Sequence, residues 1–63
     1  MHRYRLFIFR ADGSKVEEER PFQAVDDRAA VQLAEGWRAS RKAELWRGAH
    51  HVETWATGAS KRR

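Results

Sequence analysis

The sequence predicts an α+β domain: a four-stranded antiparallel sheet in the order 2-1-3-4 with one helix packed on one face, in the chain order ββαββ. Three observations carry that prediction. Tyr4 to Arg10 is the one run that is apolar on both alternate sets of positions, with Leu6 and Ile8 on one and Phe7 and Phe9 on the other, so it belongs in the middle of a sheet. The second strand contains Pro21, which has no amide to give to a ladder and therefore belongs at an edge. Between this strand pair and a second pair stands a single helical stripe, and a right-handed crossover through it makes strand three parallel to strand two. Placing strand three on the far side of strand one meets both requirements and leaves one face of the sheet uncovered.

Strand one runs from about Tyr4 to Arg10, and Ala11-Asp12-Gly13-Ser14 forms the first turn, where glycine accepts a positive φ and aspartate bonds nearby backbone. Two registers fit. A two-residue loop of Asp12-Gly13 sets Phe9 against Val16, whereas a three-residue loop of Ala11 to Gly13 sets Ile8 against Val16; the second is preferred and the choice stays open. Strand two, about Lys15 to Ala24, carries Val16, Phe22 and Ala24 on one parity. Its run Glu17-Glu18-Glu19-Arg20 reads as charge guarding an edge against further pairing.

Asp26 and Asp27 open the helix, one capping free amides and both favoured by the helix dipole. Ala30, Leu33, Ala34 and Trp37 form its apolar stripe, with Val31 at the margin and Arg28, Gln32, Glu35 and Arg38 opposite. Gly36 weakens the helix interior, which suggests close packing or fraying beyond it, and Ser40-Arg41-Lys42 ends the element. Ala43 to Ala56 reads as a hairpin with Gly48 at the first central position of a type II′ turn. That turn sets Leu45 against Val52 and Ala43 against Thr54 on an inner face, and Trp46 against His51 with Trp55 on the outer face; it also sets Glu44 against Glu53, an unfavourable like-charge pair. Residues 1–56 thus form one domain, and residues 57–63 a short, basic, flexible tail.

Composition narrows the functional classes. A core within 63 residues rarely supplies more than about 3 to 5 kcal/mol, and the chain has no cysteine for disulfides or thiolate metal sites. A partner chain is the remaining support, and a homodimer is the first expectation. Absence of cysteine fits a reducing compartment. The apolar run Leu6 to Phe9 is too short for a signal peptide or a membrane span, so a soluble cytoplasmic protein with no membrane contact is expected. Of the thirteen Lys and Arg, three are the last three residues, and the others are balanced to within one charge by nine Asp and Glu. The net charge of +4 is therefore largely a property of the tail.

No residue pattern points to catalysis, and no enzyme is expected. His50 and His51 are adjacent, so in a strand they point to opposite faces and cannot chelate one ion together, and nothing stands at a spacing that would complete a zinc set. The serines and threonines lie in no nucleophile-elbow sequence, and Glu44 with Glu53 lacks the volume for a pocket that would split two carboxylate pKa values. Neither a metal nor a cofactor is implied. What remains is the uncovered sheet face, where Trp46, His51 and Trp55 gather beside Arg5, with Phe7 and Phe9 in the preferred register of the first hairpin or Leu6 and Ile8 in the other. Clustered aromatics on a surface mark an interaction site. The leading expectation is a small non-enzymatic interaction module that homodimerises or docks a protein partner there. The alternative is single-stranded nucleic acid, stacked on the aromatics and contacted at phosphate by Arg3, Arg5, Arg47 and the tail.

Several local features share a pattern: the Tyr-Arg-Leu opening at Tyr4 to Leu6, the Asp-Gly turn, the helix start at Asp26-Asp27 and the Glu-Leu-Trp-Arg-Gly hairpin at Glu44 to Gly48. In these the chain from Tyr4 to Ala56 resembles short uncharacterised bacterial proteins of strand-strand-helix-strand-strand order. The resemblance implies the same fold and carries no activity with it.

Overall fold

A computed structural model describes residues 1–10 and 12–56, so the tail expected over 57–63 lies outside the described residues. The elements are β1 (His2–Phe9), β2 (Val16–Ala24), α1 (Asp27–Arg38), β3 (Ala43–Arg47) and β4 (His50–Trp55). They form one antiparallel sheet in the order β2-β1-β3-β4 with the helix on one face. The two-faced strand is central and Pro21 lies on an edge strand, as their chemistry requires.

Tyr4, Leu6 and Ile8 of β1 point toward the helix and are buried with Ala24, Ala43, Leu45 and Trp55 beneath Ala30 and Ala34. Two alanines at the contact remove the bulk that would hold the helix off the sheet. Asp26 caps α1, its Oδ1 accepting from the amide of Ala29 at 2.9 Å. The helix closes through Ala39 and Ser40, both in the left-handed region at φ 54° and 65°. No atom stands within 4 Å of a Cβ built on Gly36, so close packing is not its role. Gly36→Ala should therefore raise stability by about 1 kcal/mol, read as a higher urea midpoint at unchanged slope.

Both hairpins depart from simple alternation, and for the same reason. In the first, Phe9 pairs with Val16 but Ile8 pairs with Glu18, so Glu17 is an extra residue in β2. The preferred Ile8–Val16 pairing is therefore corrected. The bulge reverses parity within β2: Val16 stands on the uncovered face, 45 % exposed, whereas Phe22 and Ala24 turn inward. In the second hairpin, Gly48 has φ 60° while Ala49 keeps the ordinary sign, as a type II′ turn requires, and Trp46 does pair with His51. Beyond that pair Val52 is the extra residue, so Leu45 faces Glu53, Glu44 faces Thr54 and Ala43 faces Trp55. The expected Leu45–Val52, Ala43–Thr54 and Glu44–Glu53 pairings do not form.

This second bulge carries Trp55 into the core at 2 % exposure, against its expected place on the outer face. Its indole N–H donates to Glu35 Oε2 at 2.7 Å, and the Arg38 guanidinium lies 5.6 Å from its ring centre. Arg38, expected on the polar side of the helix, is buried instead, and its Nη2 donates to the carbonyl of Ala56 at 2.8 Å. Its aliphatic stem covers apolar surface while its head meets the end of β4. Leu33, expected in the buried stripe, is 42 % exposed. Trp37 packs on Phe22 at 4.9 Å, edge to face, and Arg20 caps its ring at 4.9 Å.

The acidic run lies on an edge strand, and each of its carboxylates has a cation. Glu17 pairs with Arg41, Glu18 with Arg20 at 3.3 Å, and Glu19 with Arg5 at 3.5 Å.

Candidate functional site

The face of the sheet turned away from α1 is built by β1 and β3, with β2 and β4 as its rims. Successive side chains in a strand point to opposite faces, so burying Tyr4, Leu6 and Ile8 obliges Arg5, Phe7 and Phe9 to face outward. By the same rule Ala43 and Leu45 face the core, and Glu44 and Trp46 face outward. Two cross-strand rows result. One runs Pro21, Arg5, Trp46, His51, and the next runs Glu19, Phe7, Glu44, Thr54. Five of the six residues assigned to this face from the sequence, namely Arg5, Phe7, Phe9, Trp46 and His51, do share it. Trp55 belongs to the opposite face and takes no part.

Local contacts hold the face in shape. The Trp46 indole N–H donates to Glu44 Oε1 at 3.1 Å, and its ring meets that of His51 edge to face at 5.1 Å. The His51 imidazole is hydrogen-bonded to Thr54 Oγ1. Lys42 places its ammonium 4.7 Å from the centre of the Phe9 ring. Phe7 and Trp46 are half-buried in the pleat, and Arg5 and His51 are exposed. Glu19 and Glu44, which flank Phe7 on either side, were not anticipated as part of the site. Alternation from Trp46 alone puts Glu44 on this face, and the second bulge gives it Thr54 in place of Glu53 as its neighbour.

A second group of polar side chains lies where β1 and β3 meet the start of the helix. Tyr4 donates its hydroxyl to Asp27 Oδ1 at 2.6 Å, and Arg47 Nε lies 3.7 Å from the same oxygen. Burial, reinforced by the bond to Asp27, pushes the Tyr4 hydroxyl up to about 12. The same bond, with Arg47 nearby, holds the Asp27 carboxyl below its usual range. Next to this pair, His2, Arg3, Arg47, Ala49 and His50 line a shallow, open depression. The arrangement ties β1 to the first turn of α1. In the first turn, the side chain and amide of Ser14 bond Asp12 and hold its carboxyl low.

Among the described residues, no group of three or more His, Cys, Asp or Glu is placed to hold a metal ion, and no helix is long and apolar enough to cross a membrane. The fold and the face together define the class: a small ββαββ α+β protein whose four-stranded sheet, among the described residues, is covered by the helix on one side only. Comparisons with protein-family models, curated proteins and solved structures found no match.

Proposed function

We propose that this protein is a small cytoplasmic interaction module, without catalytic activity, that works by binding through its uncovered sheet face, with a second copy of itself as the first partner. The observation that carries this reading is the position of Phe7 and Trp46 on neighbouring central strands of a face the helix leaves bare. Half-buried aromatics ringed by polar side chains are the composition of an interface core with its rim. A core this small also gains stability from association.

Sedimentation equilibrium over a concentration series at low and high salt tests the reading. A dimer that persists at high salt is expected, because burial of apolar surface holds or strengthens as salt rises. Trp46→Ala should weaken it at least tenfold while leaving the far-UV circular dichroism intact. A chain that stays monomeric at every concentration overturns self-association and leaves docking of another protein.

A second reading, single-stranded nucleic acid, is favoured by one observation: His2, Arg3, Arg47 and His50 gather at one end of the sheet, next to Arg5. Glu19 and Glu44 on the same face repel phosphate and weigh against it. Binding of that kind would quench tryptophan fluorescence on titration with oligothymidylate and fall steeply with salt through counterion release.

A further inference from the structure

The four residues at the centre of the uncovered face form a block with two unlike diagonals. Arg5 stands opposite Trp46 and Phe7 opposite Glu44, so one diagonal joins two aromatics and the other joins two opposite charges. We propose that a second copy docks face to face about a two-fold axis along the Phe7–Trp46 diagonal, so that Arg5 of each copy meets Glu44 of the other. This rests on the self-association proposed above and specifies its geometry.

Charge complementarity selects the axis. A face-to-face dimer needs a two-fold lying in the interface plane, and the block offers four directions for it. An axis along the strands sets Phe7 on Glu44 and Arg5 on Trp46; an axis across the strands sets Glu44 on Trp46. Both press a carboxylate against the electronegative face of a ring in a site that excludes water. An axis along the charged diagonal sets Arg5 on Arg5 and Glu44 on Glu44. Only the aromatic diagonal leaves no charge unmatched: Phe7 meets Phe7, Trp46 meets Trp46, and the Arg5–Glu44 pair forms twice.

Two further features agree with this axis. Residues two apart in a strand are separated by about 6.8 Å and neighbouring strands by about 4.8 Å, which places the diagonal about 35° from the strand direction. The two sheets then cross at about 70°, close to the orthogonal class of sheet packing. The same rotation carries Glu19 of one copy toward the Phe9 ring of the other, where Lys42 supplies a cation. In the single chain Arg5 already pairs with Glu19 and Glu44 already accepts from Trp46, so both charged side chains are held near the positions the contact requires.

The test is a charge exchange read by sedimentation equilibrium, with circular dichroism as the check on folding. Arg5→Glu and Glu44→Arg should each weaken the dimer roughly 100-fold, because each places like charges in contact twice. Mixing the two variants should restore a 1:1 heterodimer, and the chain carrying both substitutions should dimerise again by itself. Reversals that leave the dimer untouched, or that weaken it without recovery on mixing, overturn the axis while leaving self-association standing. A wild-type chain that never dimerises overturns both. Should a reversed chain fail to fold, Arg5→Gln and Glu44→Gln in a double-mutant cycle decide the matter. Coupled losses support the contact, and additive losses refute it.

Discussion

Trp55→Ala is expected to leave the chain unfolded at room temperature, whereas Trp46→Ala is expected to leave it folded. Trp55 is the largest buried side chain, fixed by Glu35 at its indole N–H and covered by Arg38. Truncating a core tryptophan to alanine costs about 3–5 kcal/mol, the same size as the stability a single core in so short a chain supplies. Trp46 is half-buried on the uncovered face and donates to Glu44, and its loss should cost the fold only about 1 kcal/mol. Far-UV circular dichroism and urea titration of both variants, at one low protein concentration, read the difference. Equal stability of the two would place Trp55 outside the core and refute the bulge at Val52.

The second large effect is alkaline. Tyr4 is the only tyrosine in the chain, so absorbance at 295 nm follows one hydroxyl. Its ionisation should be centred at about 12 in the folded chain and at about 10 in urea. Because the folded value is the higher, the stability linked to this hydroxyl is complete below pH of about 10 and is lost as pH rises toward about 12. Urea midpoints should fall across that window. Asp27 has the opposite sign: its lowered pKa contributes stability above the ordinary carboxylate range, lost as pH falls through the lowered value. Tyr4→Phe should abolish the alkaline transition at 295 nm and return Asp27 toward an ordinary carboxylate, which carbon-detected NMR can follow. A native midpoint near 10 would mean that Tyr4 is solvated and not bonded to Asp27.

The architecture was readable because its determinants are local. A strand apolar on both parities had to be central, a proline had to be on an edge, and an aspartate pair had to begin a helix. Trp46 and His51 could be placed on the uncovered face for the same reason, because the turn-proximal parts of β3 and β4 alternate without interruption. Phe7 and Phe9 were placed there through an Ile8–Val16 pairing that does not form, and they face outward because the bulge at Glu17 lets Val16 join them. What could not be read was the bulge in each edge strand: Val16, expected inward with Phe22 and Ala24, stands outside, and Trp55, expected outside, is inward. A bulge is decided by whether the sheet gains more from an inward Phe22 or Trp55 than it loses in ladder hydrogen bonds, and that balance depends on what the helix offers from above. Arg38 was misread for a related reason. Periodicity places it by angle on the helix, but its burial depends on Trp55 and the carbonyl of Ala56, which come from the other end of the chain.

The two bulges also bear on how such a sequence can change. Each edge strand holds one residue more than its neighbour matches, Glu17 in β2 and Val52 in β4. Loss of a single codon at position 52 would remove the bulge and restore plain alternation while keeping Leu45 against Glu53, Glu44 against Thr54 and Ala43 against Trp55, so Trp55 would stay inward and Thr54 outward. Most one-residue length changes within a strand turn its side chains to the other face; here, one deletion would preserve the anchor of the core, whereas pairing the same residues without the bulge would carry Trp55 to the surface. The interior and the exterior of each edge strand are thus set by whether one residue is taken up as a bulge, and not by the residue count alone.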